Sequence, residues 1–388
     1  MAVTFSPIPL TGAPFPREEY EARQQRVLAA IEKAGLDAIA VTANGHQEYL
    51  SGYDGYGGYF APFPLILAPG HPPTYVVRKY DEEAVRAQSC IEEIVPYAQQ
   101  GDFAKAWASV LRRYGLERAR VGLELGCWNL APKDVGALQT ELPDVHVVDA
   151  SRIVASVAAV KTDREIEVMR RSMALTDLAV QTFQRSLREG VTESEVAVAV
   201  DSAIRTAGGT VETRQCTLLF GARTRLPHGT PANHPLHRDE PAFTEVGGVS
   251  QGYAAGLCRS AVLGRHRGAE MLHAVAQEAL EAALQTIKAG VKAGAVDAAV
   301  RTVIERAGRA EGFRHRTGYQ TGVGWTERGN LSLEPSSDDV LEAGMTVHLP
   351  IILFQPGEYG LGCSENVLVT EAGAEILSRT PHTLYIAD

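Results

Sequence analysis

The 388-residue chain has no basic run, and its formal charge is −10. That balance argues against nucleic acid and anionic membrane surfaces as partners. No apolar stretch approaches the roughly 18 residues of a membrane-spanning helix. The opening MAVTFSPIPLTGAPFP has neither the basic flank nor the long apolar core of a secretory leader. Cysteine is scarce: Cys90, Cys127, Cys216, Cys258 and Cys363 are scattered, odd in number and never in CxxC spacing. Neither a disulfide framework nor a zinc knuckle is indicated, and the simplest location is the cytoplasm. What is present is ordinary globular composition, 45% hydrophobic and 22% charged, over a length that predicts two or three domains.

Residues 1–155 alternate apolar strands with helical patterns. A helix is expected from about Arg17 to Ala34, stopped by Gly35. The strands DAIAVTA, PLILA, PTYVVRK, RVGLEL and VHVVDA follow, with helices after Asp81, from Asp102 and after Pro132. Such alternation predicts an α/β layer domain. Residues 156–388 carry an internal repeat. Positions 171–208 and 271–308 align without a gap at an offset of 100, with ten identities that include the glycine pairs Gly190/Gly290 and Gly208/Gly308. Each copy reads as helix, glycine stop, helix, glycine stop. Thr162 with Glu165 and Thr192 with Glu195 fit capping boxes. Two helix pairs, each followed by strands, imply a pseudo-twofold α+β layout.

Five motifs follow in order. They are YLSGYDGYGGYFAP (49–62), VVRKYDEEAVRA (76–87), EVGGVSQGYAAGLCRS (245–260) and, past GYQTGVG, the closing strands WTERGNLSLE (325–334) and SENVLVTEAGAEIL (364–377). Together they resemble the methionine aminopeptidase, prolidase and creatinase superfamily, the pita-bread enzymes. The resemblance covers nearly the whole chain. It implies a creatinase-like N-terminal domain, 1–155, and a pita-bread catalytic domain, 156–388. In that superfamily five side chains hold a metal pair. The matching positions here are Glu245, Gly256, Tyr319, Pro350 and Ser364. One carboxylate remains, with Glu365 adjacent to the last position. A divalent pair needs several carboxylates and an imidazole, so no metal and no other cofactor is expected. Two branches work without metal, creatinase and the ectoine hydrolases, and the resemblance is closer in detail to the second.

His228, in TRLPHGTPANHP, matches the superfamily histidine that faces the reacting bond, and imidazole suits proton transfer near neutral pH. His234 and His237 lie close enough to compete for that role. Glu245, Glu327 and Glu365 are the expected pocket carboxylates, with Glu245 as nucleophile or water-orienting base and Glu365 pairing a cationic substrate. Without a Lewis acid the substrate must bring its own electrophile, such as an amidinium or guanidinium. Tyr253, Tyr319 and Trp325 form an expected aromatic wall for a small cation. Cys258 falls near a substrate-binding Glu of creatinase, and a neutral thiol cannot pair with guanidinium, which counts against creatine itself. The resemblance further implies a homodimer in which the N-domain aromatics Tyr53, Tyr56, Tyr59 and Phe60 cover the partner's site. Arg78 and Asp81 are a candidate structural pair.

The functional expectation is a metal-independent hydrolase that cleaves a C–N bond in a small cyclic amidine, guanidino or amide compound, cationic or zwitterionic. The alternatives are a metal-dependent Xaa-Pro peptidase with displaced ligands, a lyase on the same fold, and a non-catalytic binding module.

Overall fold

The computed structural model describes residues 15–53, 61–211, 217–325 and 329–388. The described residues fall into two units. One runs through Ala158 and includes Gly329 and Asn330; the other takes the rest from Ala159 onward.

The first unit contains α1 (Arg17–Lys33), β1 (Ala38–Val41), α2 (Asn44–Ser51), β2 (Leu65–Leu67), β3 (Thr74–Arg78), α3 (Glu82–Gln88), β4 (Glu93–Tyr97), α4 (Phe103–Arg113), β5 (Arg120–Leu123), α5 (Pro132–Glu141) and β6 (His146–Asp149). α1 ends where Gly35 adopts a φ of 67°, the left-handed geometry that glycine takes at low cost. The strands form one sheet in the order β4-β3-β2-β1-β5-β6. Its β1–β5–β6 half is parallel, as the alternating pattern leads one to expect. Trp107, Leu111, Val121 and Leu138 are buried between α4, α5 and the sheet. Arg78 donates to Asp81 at 2.7 Å, closing the start of α3.

Helix α6 (Ile153–Ala159) leads into the second unit. There α7 (Asp163–Ser186), α8 (Glu193–Thr206), β7 (Thr210–Val211), β8 (Thr217–Phe220), β9 (Glu240–Ser250) and β10 (Tyr253–Leu263) make one half. The other half is α9 (Arg267–Thr286), α10 (Ala293–Arg306), β11 (Gly318–Gln320), β12 (Ser332–Leu333), β13 (Thr346–Gln355) and β14 (Tyr359–Val369), closed by β15 (Ala374–Ile376) and β16 (Tyr385–Ala387). Both expected capping boxes form: Glu165 N–H donates to Thr162 at 3.4 Å and Glu195 N–H to Thr192 at 3.2 Å, with the carboxylates reaching back. The repeat thus yields two helix pairs, each backing one long hairpin, β9–β10 or β13–β14. The pita-bread layout follows from it.

The halves are joined by polar stitches between β10 and β14. Ser260 Oγ donates to Gly362 O at 2.7 Å, and Cys258 N–H donates to Ser364 Oγ at 2.6 Å. Helix α7 lies close on β9–β10 because Gly248 has no side chain; a Cβ there would fall 2.6 Å from Leu175 Cβ. Thr176 then reaches Ala255 O at 2.5 Å. No helix among the described residues is long and apolar enough to cross a membrane.

Candidate active site

Strand β9 puts Glu245 at the centre of a sheet, paired with Thr217 on one side and Cys258 on the other. Residues two apart share a strand face, so Phe243 and Glu245 point together into a cavity of about 350 Å³. Glu245 is 6% exposed. Burial pushes its carboxyl up to about 7, and a hydrogen bond from the Cys258 thiol pulls the other way. The thiol itself is pushed well above its ordinary range by burial and by Glu245. Cys258 therefore stays protonated and donates to the carboxylate.

His228 reaches the same cavity from a loop that Glu193 holds in place. Glu193, buried in the first turn of α8, accepts from Phe220 N–H at 2.8 Å, Ala232 N–H at 2.9 Å and Arg223 Nε at 3.0 Å. The loop turns sharply at His228, whose φ is 56°, a region few non-glycine residues occupy. Its imidazole lines the exposed rim beside Pro227. His234 and His237 do not line the cavity; their backbones anchor the loop instead, at Glu193 and Glu240.

The opposite wall contains Arg314, His315, Arg316 and Tyr319. Arg314 lies 5.3 Å over the Phe354 ring and Arg316 4.4 Å over the Tyr319 ring. Burial holds Arg316 below the usual guanidinium range and pushes the His315 imidazole down. Among the described residues neither arginine forms an ion pair with a carboxylate. The cavity thus holds two cations facing one buried carboxyl.

Behind this wall runs a buried chain of hydrogen bonds. Trp325 Nε1 donates to Tyr319 Oη at 2.8 Å, Tyr319 Oη meets His348 Nδ1 at 3.0 Å, and His348 Nε2 meets Ser364 Oγ at 2.8 Å. Burial lowers the His348 imidazole to about 3, so the ring is neutral.

The residues at the superfamily's ligand positions do not fit a metal pair. Gly256 offers no donor, and the Trp325 indole fills the space in front of it; a Cβ on Gly256 would fall 1.7 Å from the ring. Pro350 has no donor side chain. Tyr319 and Ser364 are engaged with His348. Among the described residues, no three of His, Cys, Asp and Glu are grouped to hold an ion.

Several expectations need correction. Glu365 does not line the cavity. It alternates with Ser364 along β14 and faces the other way, 1% exposed, in a 2.8 Å ion pair with buried Arg259 and a 2.6 Å bond from Ser378. Tyr253 is not part of an aromatic wall on the cavity: its hydroxyl donates to Glu165 at 2.7 Å at the start of α7. Trp325 packs over Gly247 and Gly256 rather than lining the cavity directly, and Cys258 acts on Glu245 from the neighbouring strand. Tyr319 does line the cavity. Tyr56, Tyr59, Phe60 and Glu327 lie outside the described residues. No sequence motif singles out Glu193, Arg314, His315, Arg316 or His348. The one signal for His348 was an imidazole inside the apolar strand MTVHLP.

Residues 167–371 match metallopeptidase family M24, and residues 23–160 match the creatinase/prolidase N-terminal domain. Similar curated proteins include an uncharacterised hydrolase/peptidase from Sinorhizobium fredii, 28% identical over 385 residues, covering 96% of this chain and 97% of that one. An ectoine hydrolase from Halomonas elongata is 27% identical over 400 residues, covering 96% and 98%. Among solved structures, a dipeptidase from Mycobacterium ulcerans superposes with a TM-score of 0.86 at 24% identity, covering 96% of this chain and 99% of that one. That likeness supports the fold.

Proposed function

We propose a metal-independent C–N hydrolysis for this chain, which belongs to metallopeptidase family M24 and carries a creatinase/prolidase N-terminal domain. The observation that carries the reading is the pairing of Trp325 with Gly256. An indole fills the space where the family's metal ligand would project, while Glu245 stays as the one carboxylate among the described lining residues. Metal would polarise the scissile group; here an amidinium or related cation supplies the electrophilic carbon itself. Arg314 and Arg316 on the facing wall suit a negative group on the same molecule. A small zwitterion, with a delocalised C–N cation and a carboxylate, matches both walls.

In the reaction we propose, ionised Glu245 removes a proton from water as the water oxygen bonds to the amidinium carbon. The result is a neutral tetrahedral carbon bearing one oxygen and two nitrogens. Protonated Glu245 returns its proton to the departing nitrogen as the C–N bond breaks. The hydroxyl proton follows to that nitrogen, with His228 on the rim as the carrier, giving an amide and an ammonium. A carboxyl with a pKa near the working pH suits both halves of the cycle. Direct attack by Glu245 on the same carbon would use the same residue as a nucleophile. The 27% identity to an ectoine hydrolase is consistent with a cyclic amidine carboxylate as substrate.

The same reading carries a homodimer and no macromolecular substrate. The resemblance of segment 49–62 to the N-terminal motif of the metal-free branches supports the dimer.

The test is kinetic, with ectoine as probe. Glu245→Gln is expected to remove turnover while binding persists, because the carboxylate acts mainly in the transition state. His228→Ala is expected to lose about 100- to 10,000-fold in kcat. An effect of Glu245→Gln on KM alone would sink the assignment.

A further inference from the structure

The strand registers divide the cavity into tiers. Glu245 pairs with Cys258, whose N–H donates to Ser364 Oγ at 2.6 Å, and Ser364 pairs with Pro350. One step along, Phe243 pairs with Ser260, whose hydroxyl donates to Gly362 O at 2.7 Å, and Gly362 pairs with Ile352. A further step along β13 reaches Phe354, opposite Gly360, whose N–H donates to Thr224 Oγ1 at 3.1 Å. Alternate residues of a strand share a face, and Glu245, Phe243, Pro350, Ile352 and Phe354 all line the cavity. The tiers are therefore Glu245 with Pro350, Phe243 with Ile352, and Phe354 with Thr224. At about 3.4 Å per residue, successive tiers lie about 7 Å apart.

The trough is blind at one end. Ahead of the first tier, Trp325 covers Gly247 and Gly256 and stands edge-on to His348, with ring centroids 5.6 Å apart. A ligand whose reacting carbon meets Glu245 cannot extend that way. Any extension along the sheet runs over the second and third tiers. The segment before β11 flanks the same path. Arg316 lies over Tyr319 at the blind end, His315 Nε2 meets Ile352 O at 3.3 Å beside the second tier, and Arg314 lies over Phe354 at the third. The chemistry thus changes along the trough. Charge gathers at the blind end, with Glu245 and Arg316, and the path away from it is floored by Phe243, Ile352 and Phe354.

We infer that the substrate carries an apolar arm larger than a methyl group on the carbon that is hydrolysed, and that Phe243, Ile352 and Phe354 select it. This deepens the proposed hydrolysis and rests on it for the identity of that carbon. Water adds to the amidinium carbon and one ring C–N bond breaks. The arm therefore ends on the acyl group of the product amide, and the released nitrogen becomes an ammonium on the same molecule. In ectoine that carbon bears only a methyl group, which leaves the third tier uncovered. A longer alkyl or an aryl arm removes the facing apolar side chains from water, and the gain grows with the area covered.

The test compares ectoine with analogues in which propyl or benzyl replaces that methyl group. From methyl to propyl, kcat/KM is expected to rise about 15-fold, from two further buried methylenes at about fourfold each. The benzyl compound should gain at least as much. Ile352→Asp, at the partly exposed member of the second tier, is expected to erase the rise. A flat or falling series in the parent, or a rise that Ile352→Asp leaves intact, would overturn the inference. A second arm needs no turnover. Calorimetric binding of acetate, butanoate and hexanoate to the intact protein should tighten about fourfold per methylene, and the Ile352→Asp variant should lose the trend. A Kd independent of chain length would also overturn it. If none of the amidines is hydrolysed, the failure falls on the reaction assigned to the site, and the carboxylate series alone decides the apolar trough.

Discussion

Trp325 lies flat against Gly256: a Cβ placed on that glycine would fall 1.7 Å from Cη2 of the indole and 2.3 Å from Cζ2. Gly247, its cross-strand partner, is covered by the same ring, with a Cβ there 2.0 Å from Cζ3. The two glycines and the tryptophan form one packed unit in the place where related chains have a carboxylate and its metal. Gly256→Ala is therefore expected to destabilise the fold by about 1–3 kcal/mol through overpacking. In a Trp325→Ala background the same change should cost much less. Urea unfolding of the single and double variants measures the coupling, and additive effects would mean the indole does not occupy that space.

Glu245 gives a pH signature. Its carboxyl ionises near 7 in the folded protein against an ordinary value of 4.5. Between those values the folded chain holds a proton that the unfolded chain has released. Stability is therefore lost as pH rises through the window and levels off above it. Glu245→Gln removes this contribution. The variant should be more stable than the parent above pH 7, by at most on the order of 3 kcal/mol, with the advantage shrinking toward pH 4.5. The comparison must be made between the two proteins at each pH, because buried His348 works in the opposite sense: its lowered value costs stability as pH falls below about 6.5. A difference that does not vary with pH would contradict the burial of an ionisable Glu245.

Glu365→Gln separates a structural carboxylate from a substrate-binding one. Arg259 is fully buried and is held by Glu365 Oε1 at 2.8 Å, Thr380 O at 2.7 Å and Pro381 O at 2.9 Å. Neutralising its counter-charge should destabilise the protein by roughly 3–5 kcal/mol. The KM of the folded variant should stay near that of the parent. A stable variant with a raised KM would return Glu365 to the pocket.

The sequence made the architecture legible because its signals are periodic and redundant. The repeat at 171–208 and 271–308 and two capping boxes specify the helix pairs, and the fold follows. The absences at Gly256, Tyr319 and Pro350 were equally readable, since each lies at a fixed distance from an adjacent motif. Facing was harder. Ser364 and Glu365 are neighbours, and which of them meets the cavity depends on the pleat of β14, which acidic character alone does not reveal. Arg314, His315 and Arg316 are not legible, because they precede the Gly-Tyr motif in an irregular segment with no period to aim them. Glu193 hides within the first turn of a helix, where an acidic residue is ordinary. His348 reads as one polar interruption of an apolar strand until Tyr319 and Ser364 are seen on either side of it.

The most direct measurement is turnover under metal depletion. The purified protein, dialysed against chelator and checked by elemental analysis, is given ectoine, creatine and a Xaa-Pro dipeptide in parallel. The account predicts far less than one metal ion per chain, hydrolysis of the cyclic amidine unaffected by chelator, and no cleavage of the dipeptide. Stoichiometric metal, or dipeptide cleavage that chelator abolishes and manganese restores, would contradict it.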